Sequence, residues 1–272
     1  MSGVLAVAEH CTPETAHIYS GCGYPAPSIG DFFFEPIFKI GSFEFTKPIL
    51  YMLVAAAIVL IFFWFAFGKP KLVPRGIQNL GELGLLFVRD QILRPHLGKK
   101  GDRFLPFIMS LFFFIWIMNL FEIIPGVMFP PTSKFAFPFG LTVIVWVTYV
   151  GLGIRHQGPI GYFKNMAAPS GAPAWILPLL APIELFSNLL IRPFTLSVRL
   201  MANMLAGHVL LLVFALGTWY LFDLSISLLF SATSLAVYLL VTLLEVLVTL
   251  LQAFIFATLA AFYISDSLES AH

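Results

Sequence analysis

The stretch between Asp223 and Asp266 limits the possible fold most strongly. Its 42 residues contain one charged side chain, Glu245, and neither glycine nor proline. A single α-helix of this length measures about 63 Å, at about 1.5 Å per residue, whereas the hydrocarbon core of a bilayer is about 30 Å thick. Two spans would need a turn, and no residue in the stretch is suited to making one. The sequence therefore predicts one membrane helix, tilted well beyond the usual angle of about 20°.

Composition places the whole chain in the membrane class. Of the 272 residues, 59% are hydrophobic and 11% are charged, against about 25% charged residues in an average soluble domain. The net charge of +1 gives no reason to expect nucleic acid as a partner. We therefore predict an all-α integral membrane protein whose surroundings are lipid.

Four other apolar stretches are long enough to cross a bilayer. A first span of about 20 uncharged residues is predicted at 48–67. Further spans are predicted at 104–121, at 135–154 and at about 175–216, which makes five crossings in all. Residues 76–93 are amphipathic, and this pattern predicts a helix that lies along the membrane surface. The last two spans are the longest, and we expect them to form an antiparallel hairpin.

The positive charges are distributed unevenly among the loops. Residues 69–103 contain eight of the fifteen Lys and Arg side chains. By the positive-inside rule, this segment faces the cytoplasm. The rule then places the N-terminus outside a cell (plasma) membrane and the C-terminus inside. Residues 1–46 are predicted to be an extracytoplasmic segment, and residues 47–272 a single membrane domain.

The N-terminal segment contains both cysteines of the chain, Cys11 and Cys22. On an oxidising side of the membrane they would form a disulfide, and otherwise they would remain two free thiols. His10 and His17 lie beside them, but the four residues do not match a usual zinc spacing. No metal site is therefore predicted.

The fourth span carries Glu184, Arg192, Arg199, Asn203 and His208 among its apolar residues. A charge at bilayer depth costs at least about 2.5–3.5 kcal/mol, so such residues usually lie on an ion path or pair with a partner. Arg199 is the most informative of them. Its guanidinium stays protonated, so it supplies a fixed positive charge that cannot itself carry a proton.

Antiparallel pairing of the last two spans brings two titratable residues to one level. His208 lies nine residues from Arg199, which is about 13 Å along a helix axis. Glu245 lies seven residues from Gln252, which is about 10 Å. Placing Gln252 level with Arg199 therefore brings the other two residues close together. At about 100° per residue, Asn203 shares the face of Arg199, whereas His208 lies nearly opposite.

Several other charged residues are expected to lie off this path. Glu122 lies at a helix end, where a loop role is expected. Arg192 is expected to be a structural charge that snorkels toward the membrane interface. The C-terminal residues Asp266, Glu269 and His272 are expected to form a solvated tail.

Two sequence strings resemble one protein family. The run RPFTLSVRLMANMLAGH at 192–208 resembles the signature of subunit a of the F-type rotary ATP synthase, bacterial type. In that family one Arg on a membrane helix is followed four residues later by Asn and then by small residues, here Arg199, Asn203 and 206–207. The run EVLVTLLQAFIFATLAAFY at 245–263 resembles the family's last helix. The weaker resemblance extends over about 47–265.

The resemblance implies a proton-conducting stator subunit that is not an enzyme on its own and holds no cofactor or metal. In the family, two long inclined helices lie against a rotor ring of c subunits. Protons reach and leave the ring carboxylates through two offset half-channels, and this flow is coupled to ATP synthesis. The implied partners also include the b-type subunits of the peripheral stalk and the soluble ATP-synthesising sector.

The residues that the resemblance assigns to proton translocation are Arg199, His208, Glu245, Asn203, Gln252 and Glu184. In some family members the acid and the histidine occupy the positions of His208 and Glu245 in the reverse order. Glu184 resembles the acid that lines the release path, although one residue more than the family pattern separates it from Pro193.

A self-contained ion channel or secondary transporter is the alternative function. That class is built from repeated halves with broken helices near the midplane, and the sequence shows neither feature. An intramembrane enzyme is a third class, but the chain lacks the HExxH and GxSxG motifs. It also lacks the GxxxxGK[ST] phosphate loop, so no nucleotide chemistry is expected.

Overall fold

The computed structural model describes Tyr24 and residues 37–268, apart from 41–42, 69–70, 72, 125–126, 128, 168–175 and 223–226. This part of the chain is almost entirely helical. A short antiparallel hairpin precedes the first helix and joins β1 (Phe38–Ile40) to β2 (Phe43–Phe45).

Nine α-helices are found among the described residues. In chain order they are α1 (Lys47–Phe67), α2 (Ile77–Phe87), α3 (Arg94–Leu97), α4 (Leu105–Leu120), α5 (Ala136–Gln157), α6 (Pro159–Ala167), α7 (Leu177–Phe186), α8 (Arg192–Tyr220) and α9 (Ser227–Leu268). Wider π-helical turns occupy Val88–Leu93 and Ser187–Ile191, and tighter 3-10 turns occupy Gly98–Phe104 and Pro131–Ser133.

Five continuous helical stretches of the described chain are long and apolar enough to cross a membrane. They are Lys47–Phe67, Ile77–Leu120, Ala136–Gln157, Pro178–Tyr220 and Ser227–Leu268. The predicted all-α fold with five spans is confirmed, and the protein is a multi-pass membrane protein. Helix α9 is a single helix of 42 residues, as its lack of glycine and proline predicts.

The amphipathic segment forms α2, which packs against α1. The two helices approach closely at Gly81, where an added Cβ atom would lie 2.7 Å from the Cβ of Ala66. The other side of α2 exposes Ile77, Leu80 and Leu83. Short helical turns then join α2 to α4, so the predicted helix is present and is continuous with the second span.

The spanning helices alternate in direction, so the structure has two distinct ends. We call the end where α1, α5 and α9 finish the cationic end, because the Lys- and Arg-rich residues 94–103 lie there. At this end the Ser265 hydroxyl donates a hydrogen bond to the His96 carbonyl at 2.8 Å, which fixes α9 to the second span. The opposite end contains the turn Pro131–Ser133 and the start of α9.

The core lies where α9 packs against α4, α5 and α8. Helix α9 contributes a ridge of fully buried alanines, Ala253, Ala257 and Ala261. The same apolar cluster contains Phe112 of α4 and Leu200 of α8. Small residues let helices approach closely, so this ridge serves packing within the chain.

Candidate functional site

Helices α8 and α9 form the antiparallel pair that the sequence predicts. Near the opposite end, the Ser231 hydroxyl donates to the Thr218 carbonyl at 2.8 Å, and the Ser234 hydroxyl donates to the Phe214 carbonyl at 3.0 Å. These two hydrogen bonds align the helices, because each joins a side chain of α9 to the backbone of α8.

Glu245 of α9 lies directly against Gly207 of α8. A Cβ atom added at Gly207 would lie 2.7 Å from Glu245 Oε1 and 2.8 Å from its Cδ. The Glu245 side chain is 5% exposed, and its Oε2 has no hydrogen-bond partner among the described residues. The glycine therefore provides the space that the carboxyl group occupies, one residue before His208.

His208 is buried at the same level. Its ring meets the ring of Phe129 edge-on, with the centroids 5.6 Å apart and the planes at 86°. Phe129 follows α4 and is itself buried. The imidazole thus faces the interior at the opposite end of the molecule, beside the position of Glu245.

Glu122 is a second buried acid of the described structure. It lies in the turn after α4, but its side chain is 1% exposed, and neither carboxyl oxygen has a hydrogen-bond partner in the described structure. It interacts electrostatically with Glu245. The expected position in a loop is present, but the carboxyl group is buried there, which was not predicted from the sequence. We call Glu122 and Glu245 the acid pair.

A sequence signal for Glu122 exists in its neighbour Asn119. Asn119 is also fully buried, and its Oδ1 accepts a hydrogen bond from the Thr132 hydroxyl at 2.7 Å. Side chains three residues apart lie on one side of a helical turn, so an amide and an acid at this spacing at the end of an apolar helix indicate a polar site there.

Arg199 lies on a different face of α8. Its side chain is exposed, as are Ala202 and Ala206 one and two turns along. Among the described residues it forms no ion pair with an acid. Asn203 is partly buried, and its Nδ2 has no partner in the described structure. An exposed guanidinium on an apolar membrane helix is costly in lipid, and such charges usually pair with a partner or lie on an ion path.

Glu184 lies in the half of the helix pair nearer the cationic end, and the structure does not bring it together with His208. Between them the chain makes the π-helical turn Ser187–Ile191. A π turn holds one residue more than an α turn, as expected if one residue is inserted between Glu184 and Pro193. The Tyr149 hydroxyl donates to the Asn188 carbonyl of this turn at 2.9 Å.

Arg192 pairs with Asp266 at the cationic end. Its Nη1 lies 2.7 Å from Asp266 Oδ2, and its guanidinium carbon lies 5.4 Å from the ring centroid of Tyr263. Asp266 therefore belongs to α9 and to an ion pair, which corrects its expected place in a solvated tail. Arg192 is likewise paired and does not simply snorkel.

Some predictions lie outside the described residues. They are those made for Cys11, Cys22, His10, His17, Glu269 and His272. Within the described ranges, no group of three His, Cys, Asp or Glu side chains is arranged to hold a metal ion. Gln252 is 7% exposed and lies two turns along α9 from Glu245, on the same inward side.

Comparison with known proteins identifies the family of this chain. A family model described as ATP synthase A chain matches residues 49–265. A protein named ATP synthase subunit a from Streptomyces lividans is 41% identical over 272 residues, covering 99% of this chain and 95% of that protein. A protein of the same name from Frankia alni is 45% identical, covering 79% of this chain and 74% of that protein. Another from Gluconobacter oxydans is 38% identical, covering 90% of this chain and 98% of that protein.

The family model spans most of the five helical stretches, including the helices that carry Arg199, His208 and Glu245. The relatives from Streptomyces and Gluconobacter match over nearly their whole length. This chain therefore belongs to the ATP synthase A chain family and is a non-catalytic membrane subunit of the ATP synthase.

Proposed function

We propose that this subunit is the proton-conducting stator of a bacterial rotary ATP synthase. It provides two offset half-channels to and from the carboxylates of a rotor ring of c subunits. Residues 47–272 form its single membrane domain in the plasma membrane, with the N-terminus outside and the C-terminus in the cytoplasm. Its other partners are the b-type subunits of the peripheral stalk and the soluble ATP-synthesising sector.

The observation that carries the proposal is the separation of the exposed Arg199 from a group of buried titratable side chains. One face exposes Arg199 with two alanines, while His208 and the acid pair are buried beyond it toward the opposite end. A fixed cation on an open face attracts the carboxylate of a neighbour. Titratable groups that are buried in a membrane helix bundle typically line a proton path.

In the proposed uptake path, protons come from the outside through Glu122, His208 and Glu245. An imidazole and carboxyl groups pass protons between them because each both accepts and donates. Asn203 and Gln252 supply amide hydrogen bonds along the way to the rotor carboxylate. The buried oxygens without partners in the described structure are groups that water in such a path would satisfy.

In the proposed release path, protons leave the rotor carboxylate near Glu184 after nearly a full turn of the ring. Arg199 attracts the carboxylate once it has lost its proton, and it keeps the two paths separate. One charge that crosses 100 mV releases about 2.3 kcal/mol. Several protons per turn are therefore needed to drive ATP synthesis.

Gly207→Ala tests whether the position of the Glu245 carboxyl group matters. The new Cβ atom would fall 2.7 Å from Oε1, so the carboxyl group must move away from α8. We expect proton-driven ATP synthesis in membrane vesicles, normalised to assembled complex, to fall by about three- to tenfold. Gly151→Ala on α5 is the matched control, because a Cβ atom there meets nothing within 4 Å. Equal rates in the two variants would contradict the uptake role of Glu245.

Reconstitution of the chain by itself separates the stator from a self-contained channel. Because both proposed half-channels end at a rotor carboxylate, the purified chain in vesicles should conduct protons no faster than empty vesicles. The complete membrane sector, reconstituted in the same lipid, should collapse an imposed pH gradient. Selective proton flux through the chain alone would favour the channel or transporter class.

A further inference from the structure

Helix α8 carries a second arginine close to the face that Arg199 uses. Arg192 lies seven residues before Arg199, which is two turns, about 10 Å along the axis and about 20° around it. Tyr263 of α9 interacts electrostatically with both arginines. A rotor carboxylate that approaches this face would therefore meet two cations unless one of them were neutralised.

Asp266 is placed to neutralise Arg192. The two side chains meet at 2.7 Å, and they are 30% and 50% exposed. The Arg192 guanidinium also lies over the ring of Tyr263, whose ring in turn packs against Tyr149 with the centroids 5.6 Å apart. The nearby Tyr162 of α6 is neutral, because burial, reinforced by Asp266, raises its pKa to about 12. Asp266 is thus the negative charge that the described structure sets against Arg192.

The ion pair does little to stabilise the fold by itself. Pairs as exposed as this one contribute little to stability, because water screens the attraction and both side chains lose freedom. The pair has a larger effect on the local electric field than on stability. With Asp266 beside it, Arg192 no longer adds a net positive charge near the Arg199 face. A role in charge placement therefore explains the pair better than a role in holding α8 to α9.

We propose that Asp266 masks the charge of Arg192, so that Arg199 is the arginine of α8 that a rotor carboxylate meets. Asp266 is then a specificity-determining residue for the docking of that carboxylate, acting through Arg192. The inference rests on the proposed function, because it concerns the rotor. Without the mask, a deprotonated carboxylate would also be held two turns from its proper position, near the release path.

The test compares three variants of the complete complex in inverted membrane vesicles: Asp266→Asn, Arg192→Gln and the double variant. ATP-driven proton pumping is normalised to the assembled complex. Asp266→Asn exposes Arg192, and we expect it to lower pumping by about three- to tenfold. Arg192→Gln removes the competing cation, so it should pump within about twofold of the unmodified complex, and so should the double variant.

A purely structural role for the Arg192–Asp266 ion pair predicts different pumping rates for the three variants. If the pair is needed as a contact, Arg192→Gln and the double variant will be as impaired as Asp266→Asn, and masking is overturned. Unchanged pumping in Asp266→Asn overturns it as well. The double variant lacks the same carboxylate as Asp266→Asn, so recovery of its pumping also excludes misfolding as the cause of the defect.

Arg199→Ala is measured in parallel to separate this inference from the proposed function. If Arg199→Ala abolishes pumping while the double variant stays as low as Asp266→Asn, the masking role fails and the stator function stands. If Arg199→Ala still pumps normally, the stator function fails, and masking fails with it.

Discussion

Arg199→Ala is expected to abolish both ATP synthesis driven by a proton gradient and proton pumping driven by ATP. Arg199 is the exposed cation of α8, and it forms no ion pair with any described acid, so its charge is available to a partner. In the proposed mechanism, removing it leaves the deprotonated rotor carboxylate without its counter-charge and opens a direct route between the two paths. We expect both rates, measured in membrane vesicles and normalised to assembled complex, to fall by at least about two orders of magnitude.

Arg199→Lys is the conservative control for this experiment. Lysine keeps a positive charge but loses the planar, bidentate geometry with which arginine holds a carboxylate. Its charge is also less secure, since burial favours the neutral amine. We expect it to remain impaired by more than about tenfold. ATP synthesis by Arg199→Ala within about twofold of the unmodified complex would contradict the role of Arg199.

Exchanging His208 and Glu245 is expected to restore activity that each single substitution removes. His208→Glu places a second carboxyl group one residue from Gly207, where Glu245 already lies. Glu245→His leaves two imidazoles. Either change removes the acid–imidazole pair, and we expect ATP synthesis to fall by about tenfold or more. The double exchange again provides one acid and one imidazole at the same level of the helix pair.

The double variant decides between a relay and simple packing. If the pair passes protons, His208→Glu/Glu245→His should synthesise ATP within about fivefold of the unmodified complex and well above both single variants. If the two side chains merely fill space, the losses should add, and the double variant will be the slowest of the three. ATP-driven pumping in the same vesicles provides the second measurement.

The spanning helices follow directly from the sequence. The predicted boundaries of the first three spans lie within three residues of α1, α4 and α5, because charges, glycine and proline end an apolar helix in lipid. The continuity of α9 follows from the absence of any residue suited to a turn. Pairing α8 with α9 by counting residues predicts that Glu245 lies near the level of His208, and in the structure Glu245 contacts Gly207, the residue before it.

Contacts between distant segments could not be predicted in the same way. Glu122 lies beyond the last turn of α4, where an acid is ordinarily exposed, and its burial depends on how the following loop folds back. Asp266 lies six residues from the C-terminus, so its place in α9 depends on how far the last helix continues. Its pairing with Arg192 depends further on the angle at which α8 and α9 cross.

The π-helical turn at Ser187–Ile191 is a third feature of this kind. The resemblance predicts one residue more than the family pattern between Glu184 and Pro193, but an inserted residue is absorbed equally by a bulge, by a loop or by a shift of the whole helix. Helix α8 continues through Pro193 because proline is tolerated in a first helical turn. The hydrogen bond from Tyr149 to the Asn188 carbonyl then stabilises the wide turn.

The central claim is that Arg199 separates two water-filled paths that meet at the rotor ring. Passive proton flow through the membrane sector tests it most directly, with the soluble sector removed and the ring fixed to this chain by a covalent cross-link. With Arg199 present, fixing the ring should stop the flow, because in the proposed mechanism protons cross the membrane only while bound to the rotating ring. In Arg199→Ala, protons should continue to leak past the fixed ring. Flow that stops equally in both complexes would contradict the claim.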